Sequence, residues 1–234
     1  MDWKNDQGLG MRVMVGYELE VKYYIQDPKE MQSRVISLAA KLHQPRTHEL
    51  NLRFDTPGKR LTRESRVLRL RQDTAARLTY KGPSQSQGGV RARQEIEIVV
   101  PDFAAAQALL EALGYQVTII YEKLRTVYSL EGLLVSFDEL PYGNFIEIEG
   151  PDAESIQHLS QRLGLDWEAR IEESYIALFE RLRSAYNLEF RDLSFDNFAG
   201  LPISSTDLNV RPADSTSGAS LSRTALSGHQ QGVS

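Results

Sequence analysis

The chain has 234 residues, enough for one large domain or two small ones, and it has no cysteine, which excludes disulfides and thiolate chemistry. Its 41% hydrophobic and 25% charged residues are those of a globular protein, and a net charge of -5 argues against broad attraction to nucleic acid or to an anionic membrane. No stretch approaches the roughly 18 apolar residues of a membrane span, and the first residues lack an apolar signal core. The expectation is a cytoplasmic protein, monomeric or homodimeric, with Met11 and Met14 as alternative starts.

Residues 15–25 alternate and are rich in β-formers, so they predict a strand. Residues 28–43 have helical periodicity, with Pro28 in the first turn. A strand over 47–55 closes at the turn Thr56-Pro57-Gly58, and a hairpin joins 67–71 to 77–81. Gly82 to Gly89 reads as a flexible loop without the Gly-Lys-Ser/Thr ending of a phosphate-binding loop. A long alternating strand follows over 91–100, then a helix over 102–113 with Asp102 as N-cap and Gly114 beyond its end. Strands are predicted over 115–130, 133–139 and 144–149, and helices over 153–163 and 172–186. The Phe-containing stretch 187–203 has no clear period, and residues 204–234 are Ser/Thr/Gly-rich and read as a disordered tail. Residues 1–13 read as a flexible N-terminus.

The informative feature is what alternates, because residues two apart in a strand share a face. Glu18, Glu20 and Lys22 share one face of the first strand, and Arg69 and Arg71 oppose Leu68 and Leu70. Arg91, Arg93, Glu95 and Glu97 line up on one strand, Lys123 and Arg125 on the next, then Ser136 with Asp138 and Glu147 with Glu149. An antiparallel sheet with a solvated charged face explains any one of these strands. Like-sign pairs two residues apart gain little on such a face, however, and the amphipathic helices need an apolar sheet face to cover. Closing eight strands into a barrel with the apolar face outward turns the charges into a lumen that would trap a polyanion, with Lys81 among its cations. The oxygen set Glu18, Glu20, Asp138, Glu147 and Glu149 suits Mg²⁺ or Mn²⁺; salt bridging to the lumen cations is the competing use. His43, His48, His158 and His229 have no ligand spacing.

Glu18-Leu19-Glu20-Val21-Lys22 resembles the ExExK signature of the CYTH, or triphosphate tunnel metalloenzyme, superfamily. The resemblance continues through Phe54-Asp55-Thr56-Pro57, Leu68-Arg69-Leu70-Arg71, Leu78 to Pro83, Arg91 to Glu97, Glu122-Lys123-Leu124-Arg125, Asp138 and Phe145 to Glu149. It implies an α+β fold, an eight-stranded antiparallel β-barrel tunnel with helices outside, over residues 14–186. The stretch 187–203 lies outside the resemblance and is expected to pack on or near the tunnel, with a docking peptide as the alternative. By the same resemblance Glu18, Glu20, Asp138, Glu147 and Glu149 look like the metal side. Lys22, Arg69, Arg71, Lys81, Arg93, Lys123 and Arg125 look like the triphosphate cradle, with Lys22 and Glu20 in catalytic roles. Arg91, Glu95 and Glu97 look like lumen support. The implied activity is hydrolysis of inorganic, thiamine or nucleoside triphosphate with Mg²⁺ or Mn²⁺. The alternatives are class IV adenylate cyclase, making cyclic AMP and pyrophosphate, and a non-catalytic polyphosphate-binding module.

Overall fold

The computed structural model describes residues 13–215. Eight antiparallel strands close on themselves in the order β1 (Val13–Ile25), β9 (Gly143–Gly150), β8 (Leu133–Leu140), β7 (Gln116–Leu130), β2 (Lys41–Asp55), β3 (Val67–Gln72), β4 (Ala76–Lys81) and β6 (Val90–Val100). The barrel is sealed by β1 against β6, with Glu18 opposite Arg93 and Glu20 opposite Arg91. Closure removes the unpaired edges that an open sheet of this length would present.

The apolar faces point outward and helices cover them. On β1, Val21, Tyr23 and Ile25 are buried, and they pack with Val135 and Phe137 of β8 and Ile146 and Ile148 of β9. Over them lie α1 (Pro28–Ser37), through Met31 and Val35, and α4 (Ala153–Arg162), through Ile156 and Leu159. Each such fully buried side chain contributes about 1.5–3 kcal/mol relative to exposure. On the opposite side α3 (Phe103–Ala112), capped by the Asp102 carboxylate accepting from Ala105 N, sets Leu110 against Leu52, Phe54 and Leu70. Since Leu52 and Phe54 face outward, Glu49, Asn51 and Arg53 must face the lumen.

At one end of the barrel the inner face itself turns apolar. Tyr24, Phe145 and Ile119 share the parity of Lys22, Glu147 and Lys123, yet they pack with Leu178, Phe179 and Leu182 of α5 (Tyr175–Tyr186). Leu193, Phe198 and Leu208 join the same cluster. The chain after α5 is stitched to the barrel by backbone bonds: Leu193 N donates to Ile120 O and Glu122 N to Leu193 O, each at 2.9 Å. Ala213 N donates to Tyr24 O at 2.9 Å, and the Asp214 carboxylate accepts from the N–H groups of Gln26 and Asp27.

Five expectations change. The first helix stops at Ser37, and β2 begins at Lys41 rather than residue 47. Ala39 turns the chain with φ 63°, and register shifts around Gln44 let the strand pass Pro45. The loop 82–89 contains a short strand, β5 (Gln85–Gln87), paired with Val90–Ala92 across Gly88 and Gly89. Both glycines have positive φ (60° and 78°), the conformation a two-residue hairpin turn requires. The helix expected from 172 starts at Tyr175, because Ile171 N instead bonds Lys22 O on β1. Residues 204–215, expected within a disordered tail, pack on the barrel with Leu208 and Ala213 fully buried. The rest of that tail, 216–234, and residues 1–12 of the expected flexible N-terminus lie outside the described residues. The sequence did not signal the single-turn α2 (Arg60–Arg63), whose backbone N–H groups at Leu61 and Thr62 donate to Asp55.

Candidate active site in the barrel lumen

One wall of the lumen is acidic. Glu20 of β1 stands directly opposite Glu149 of β9, with Glu18 two residues away. Lys81 Nζ reaches across to Glu18 at 2.5 Å and to Glu95 at 3.1 Å, and Arg91 Nη1 lies 3.4 Å from Glu20. Glu149 makes no ion pair among the described residues. Burial, followed by the charges of Glu18, Glu95 and Glu20, pushes its carboxyl up to about 8 against the pull of Lys81. Glu20 is raised as well, by burial and then by Glu18 and Glu147. Confined carboxylates that repel one another in this way are what a divalent cation relieves.

The other wall is basic and its carboxylates are shared among cations. Glu49, 1% exposed, lies 3.5 Å from Lys123 Nζ, 3.7 Å from Arg71 Nη1 and 4.0 Å from Arg125 Nε. Burial would raise its carboxyl, but Lys123, Arg125, Arg71 and Arg69 hold it down at about 2. Asp138, fully buried, accepts from Lys123 Nζ at 2.9 Å, Arg125 Nε at 2.6 Å and Tyr175 Oη at 2.9 Å. Glu147 sits 3.3 Å from Lys22 Nζ and 2.5 Å from Arg125, and these cations keep it well below the usual carboxylate range despite burial. Glu97 gathers Arg69, Arg71 and Arg77 at 3.4–3.8 Å and accepts from Thr79 Oγ1 at 2.9 Å. Arg93 donates to Gly82 O at 2.8 Å.

The structure thus brings Glu18, Glu20 and Glu149 together and sets Asp138 and Glu147 apart, engaged with Lys22, Lys123 and Arg125. As the side chains stand, no three His, Asp or Glu among the described residues are gathered to coordinate one ion. The cradle candidates Arg69, Arg71, Lys81, Lys123 and Arg125 all meet lumen carboxylates. Arg91, Glu95 and Glu97 lie among them as bridging partners.

Several lumen residues are absent from the sequence reading. Glu49, Asn51 and Arg53 carry the alternation used for the other strands and were findable by it. Arg77 and Thr79 follow the same rule on β4. Asn51 is fully buried with both amide atoms unpaired among the described residues. Arg53 has its guanidinium lowered by burial and then by Arg69 and Arg91, against the pull of Tyr121 and Asp55. Tyr175 comes from a helix, where no strand parity marks it.

The profile of the CYTH domain matches residues 16–175. A candidate adenylate cyclase of Methanocaldococcus jannaschii is 26% identical over 134 residues, covering 56% of this chain and 75% of that protein. Uridine-cytidine kinase C of Dictyostelium discoideum is 34% identical over 73 residues, and there the chain spans only 16% of its length. Among solved structures, a candidate adenylate cyclase of Vibrio parahaemolyticus superposes with TM-score 0.63 at 22% identity, over 70% of this chain and 98% of its own. An adenylyl cyclase candidate of Hippeastrum, described as revealing a dominant triphosphatase activity, superposes with TM-score 0.55 at 22% identity, over 70% and 95%. Among the described residues no helix is long and apolar enough to cross a membrane.

Proposed function

Because the chain belongs to the CYTH domain family, we propose that it is an enzyme that hydrolyses a triphosphate at its terminal phosphoryl group within this lumen. The observation that carries the reading is a crowded carboxylate wall, Glu18, Glu20 and Glu149, facing a cation wall inside one closed barrel. The raised carboxyls of Glu20 and Glu149 fit a divalent cation, and the all-oxygen donor set suits Mg²⁺ or Mn²⁺. Such an ion, when bound, supplies charge neutralisation of phosphate oxygens and acidifies water.

The chain's own residues do the rest. Arg69, Arg71, Lys81, Lys123 and Arg125 exchange carboxylate partners for phosphate oxygens, Arg93 turns from the Gly82 carbonyl to join them, and together they stabilise the charge on the transferring group. Lys22 orients the terminal phosphoryl, and Glu20, its carboxyl raised by burial and then by Glu18 and Glu147, accepts the proton of the attacking water. Glu95 holds Lys81 and Glu97 holds Arg69 and Arg71 in position, while Arg91 pairs with Glu20. Water oxygen bonds to the terminal phosphorus, the bridging P–O bond breaks, and the shortened phosphate leaves.

The relatives described as adenylate cyclase candidates favour a second reading, attack of a ribose hydroxyl on the α-phosphate of ATP. The test is a product assay on inorganic triphosphate, thiamine triphosphate and ATP with Mg²⁺ or Mn²⁺. Orthophosphate release supports hydrolysis, and cyclic AMP with pyrophosphate supports the cyclase. Triphosphate binding without any product would leave a polyphosphate-binding module and overturn both.

A further inference from the structure

Helix α5 enters the lumen with its first residue. Tyr175 Oη donates to Asp138 Oδ2 at 2.9 Å, and Asp138 is the carboxylate that also holds Lys123 and Arg125. Lys22 Nζ stands 4.1 Å from the Tyr175 ring centroid and Lys123 Nζ stands 5.5 Å from it, both within cation–π range. One side chain therefore touches Lys22 and the anion that fixes two cradle cations.

The ring is itself held. Phe145 packs edge-on at 5.1 Å, Tyr142 Oη donates to Tyr175 O at 2.8 Å, and Ser174 caps the helix by accepting from Ala177 N. Burial, then the charges of Asp138 and Glu147, keep the phenol well above its ordinary range, so it remains a donor. Lys22 Nζ completes its surroundings with Glu147 at 3.3 Å and the Glu173 carbonyl at 3.3 Å, the latter two residues before Tyr175. A lysine has a flexible stem, and this turn of chain confines its ammonium to one spot.

We propose that Tyr175 is a positioning residue for the reaction: its hydroxyl orients Asp138 and through it Lys123 and Arg125, while its ring seats the Lys22 ammonium. The inference rests on the triphosphatase reading of the lumen. It makes α5 part of the site rather than only a stopper for the barrel.

The test compares Tyr175→Phe, which keeps the ring, with Tyr175→Leu, which removes it. Phosphate release from inorganic triphosphate with Mn²⁺ gives kcat and KM, and calorimetry gives inorganic triphosphate affinity. Proton NMR follows the Lys22 ε-methylene, assigned by its loss in Lys22→Met. Tyr175→Phe is expected to raise KM by roughly tenfold, as removal of an outer partner does, and to leave the Lys22 resonance at its ring-shifted position. Tyr175→Leu is expected to lower kcat by roughly 100-fold, the cost of a misplaced group, and to abolish the ring shift. Parent-like kcat and KM in both variants, with only a lower melting temperature, would overturn the proposal. An unshifted Lys22 resonance in the parent would overturn the ring's part even if Tyr175→Leu did not fold. No turnover by the parent on any triphosphate would sink the reading of the lumen. The Lys22 resonance and inorganic triphosphate affinity of Tyr175→Phe would still decide whether Tyr175 orders the site.

Discussion

At the scale of single residues, the lumen is a set of charges whose neighbours decide their state. Glu149 keeps its proton up to about pH 8, because burial and then Glu18 oppose ionisation. Cation binding must displace that proton, so apparent Mn²⁺ affinity is expected to rise from pH 6 to pH 8.5, with proton release seen in calorimetry in buffers of different ionisation enthalpy. A flat pH profile with no proton release would contradict the assignment. Glu149→Gln is expected to raise the Mn²⁺ concentration for half-maximal phosphate release by roughly tenfold or more. Glu49 behaves oppositely. Its folded carboxyl lies near 2, below the unfolded value, so it contributes stability that is complete above the ordinary carboxylate range and lost as pH falls toward 2. Glu49→Gln leaves Lys123, Arg71 and Arg125 short of an anion and is expected to cost about 3 kcal/mol in denaturant unfolding at pH 7. The same substitution at pH 2 should cost far less. Arg71→Ala should raise KM by about tenfold, the size of one charge-assisted hydrogen bond, with the change read in KM before kcat.

At the scale of elements, strand parity was legible because it is local. Glu18 to Lys22, Arg69 to Arg71 and Arg91 to Glu97 each present their charges on one side whatever the strand pairs with. The same rule, applied to Thr47–Asp55, yields Glu49, Asn51 and Arg53. Boundaries were less legible. Lys41 to Arg46 has no strand alternation and contains Pro45, yet it is drawn into β2 because Lys41 and Leu42 find partners in Ser129 and Tyr128. Pairing with a distant strand overrode local propensity there. β5 escaped for a related reason: a polar three-residue strand has no hydrophobic signal, and only the Gly88-Gly89 turn hints at a hairpin. The outward orientation of the apolar faces has a direct check in α3. Leu110→Ala should lower unfolding free energy by about 3 kcal/mol through the cavity it leaves against Leu52, Phe54 and Leu70. Since those contacts lie outside the barrel wall, KM for triphosphate should stay at the parent value; a large change in KM would speak against the separation of core and lumen.

At the scale of the whole molecule, a chain of net charge -5 gathers many of its cations on one concave surface and spends carboxylates beside them. This is why bulk charge says little about what the lumen binds. The far end of the barrel is stoppered by α5 and the segment after it. Truncation after residue 186 removes Leu193, Phe198 and Leu208 from that cluster together with the backbone bonds to Ile120, Glu122 and Tyr24. The truncated chain should therefore melt at a lower temperature, and an unchanged melting temperature would mean the segment contributes nothing to the barrel.

The sequence by itself determined which side chains share a face, where most strands and helices lie, and that the charged faces form a matched set, because each follows from a two-residue or 3.6-residue period within one element. Only the tertiary structure decided that Glu149 makes no ion pair among the described residues while Asp138 and Glu147 are taken by Lys22, Lys123 and Arg125. It also decided that Glu49 lies at the centre of the cation wall and that Tyr175 enters from a helix. Those outcomes depend on how the closing strands are staggered and on which chains meet across the lumen, contacts between residues far apart in sequence that no local period encodes.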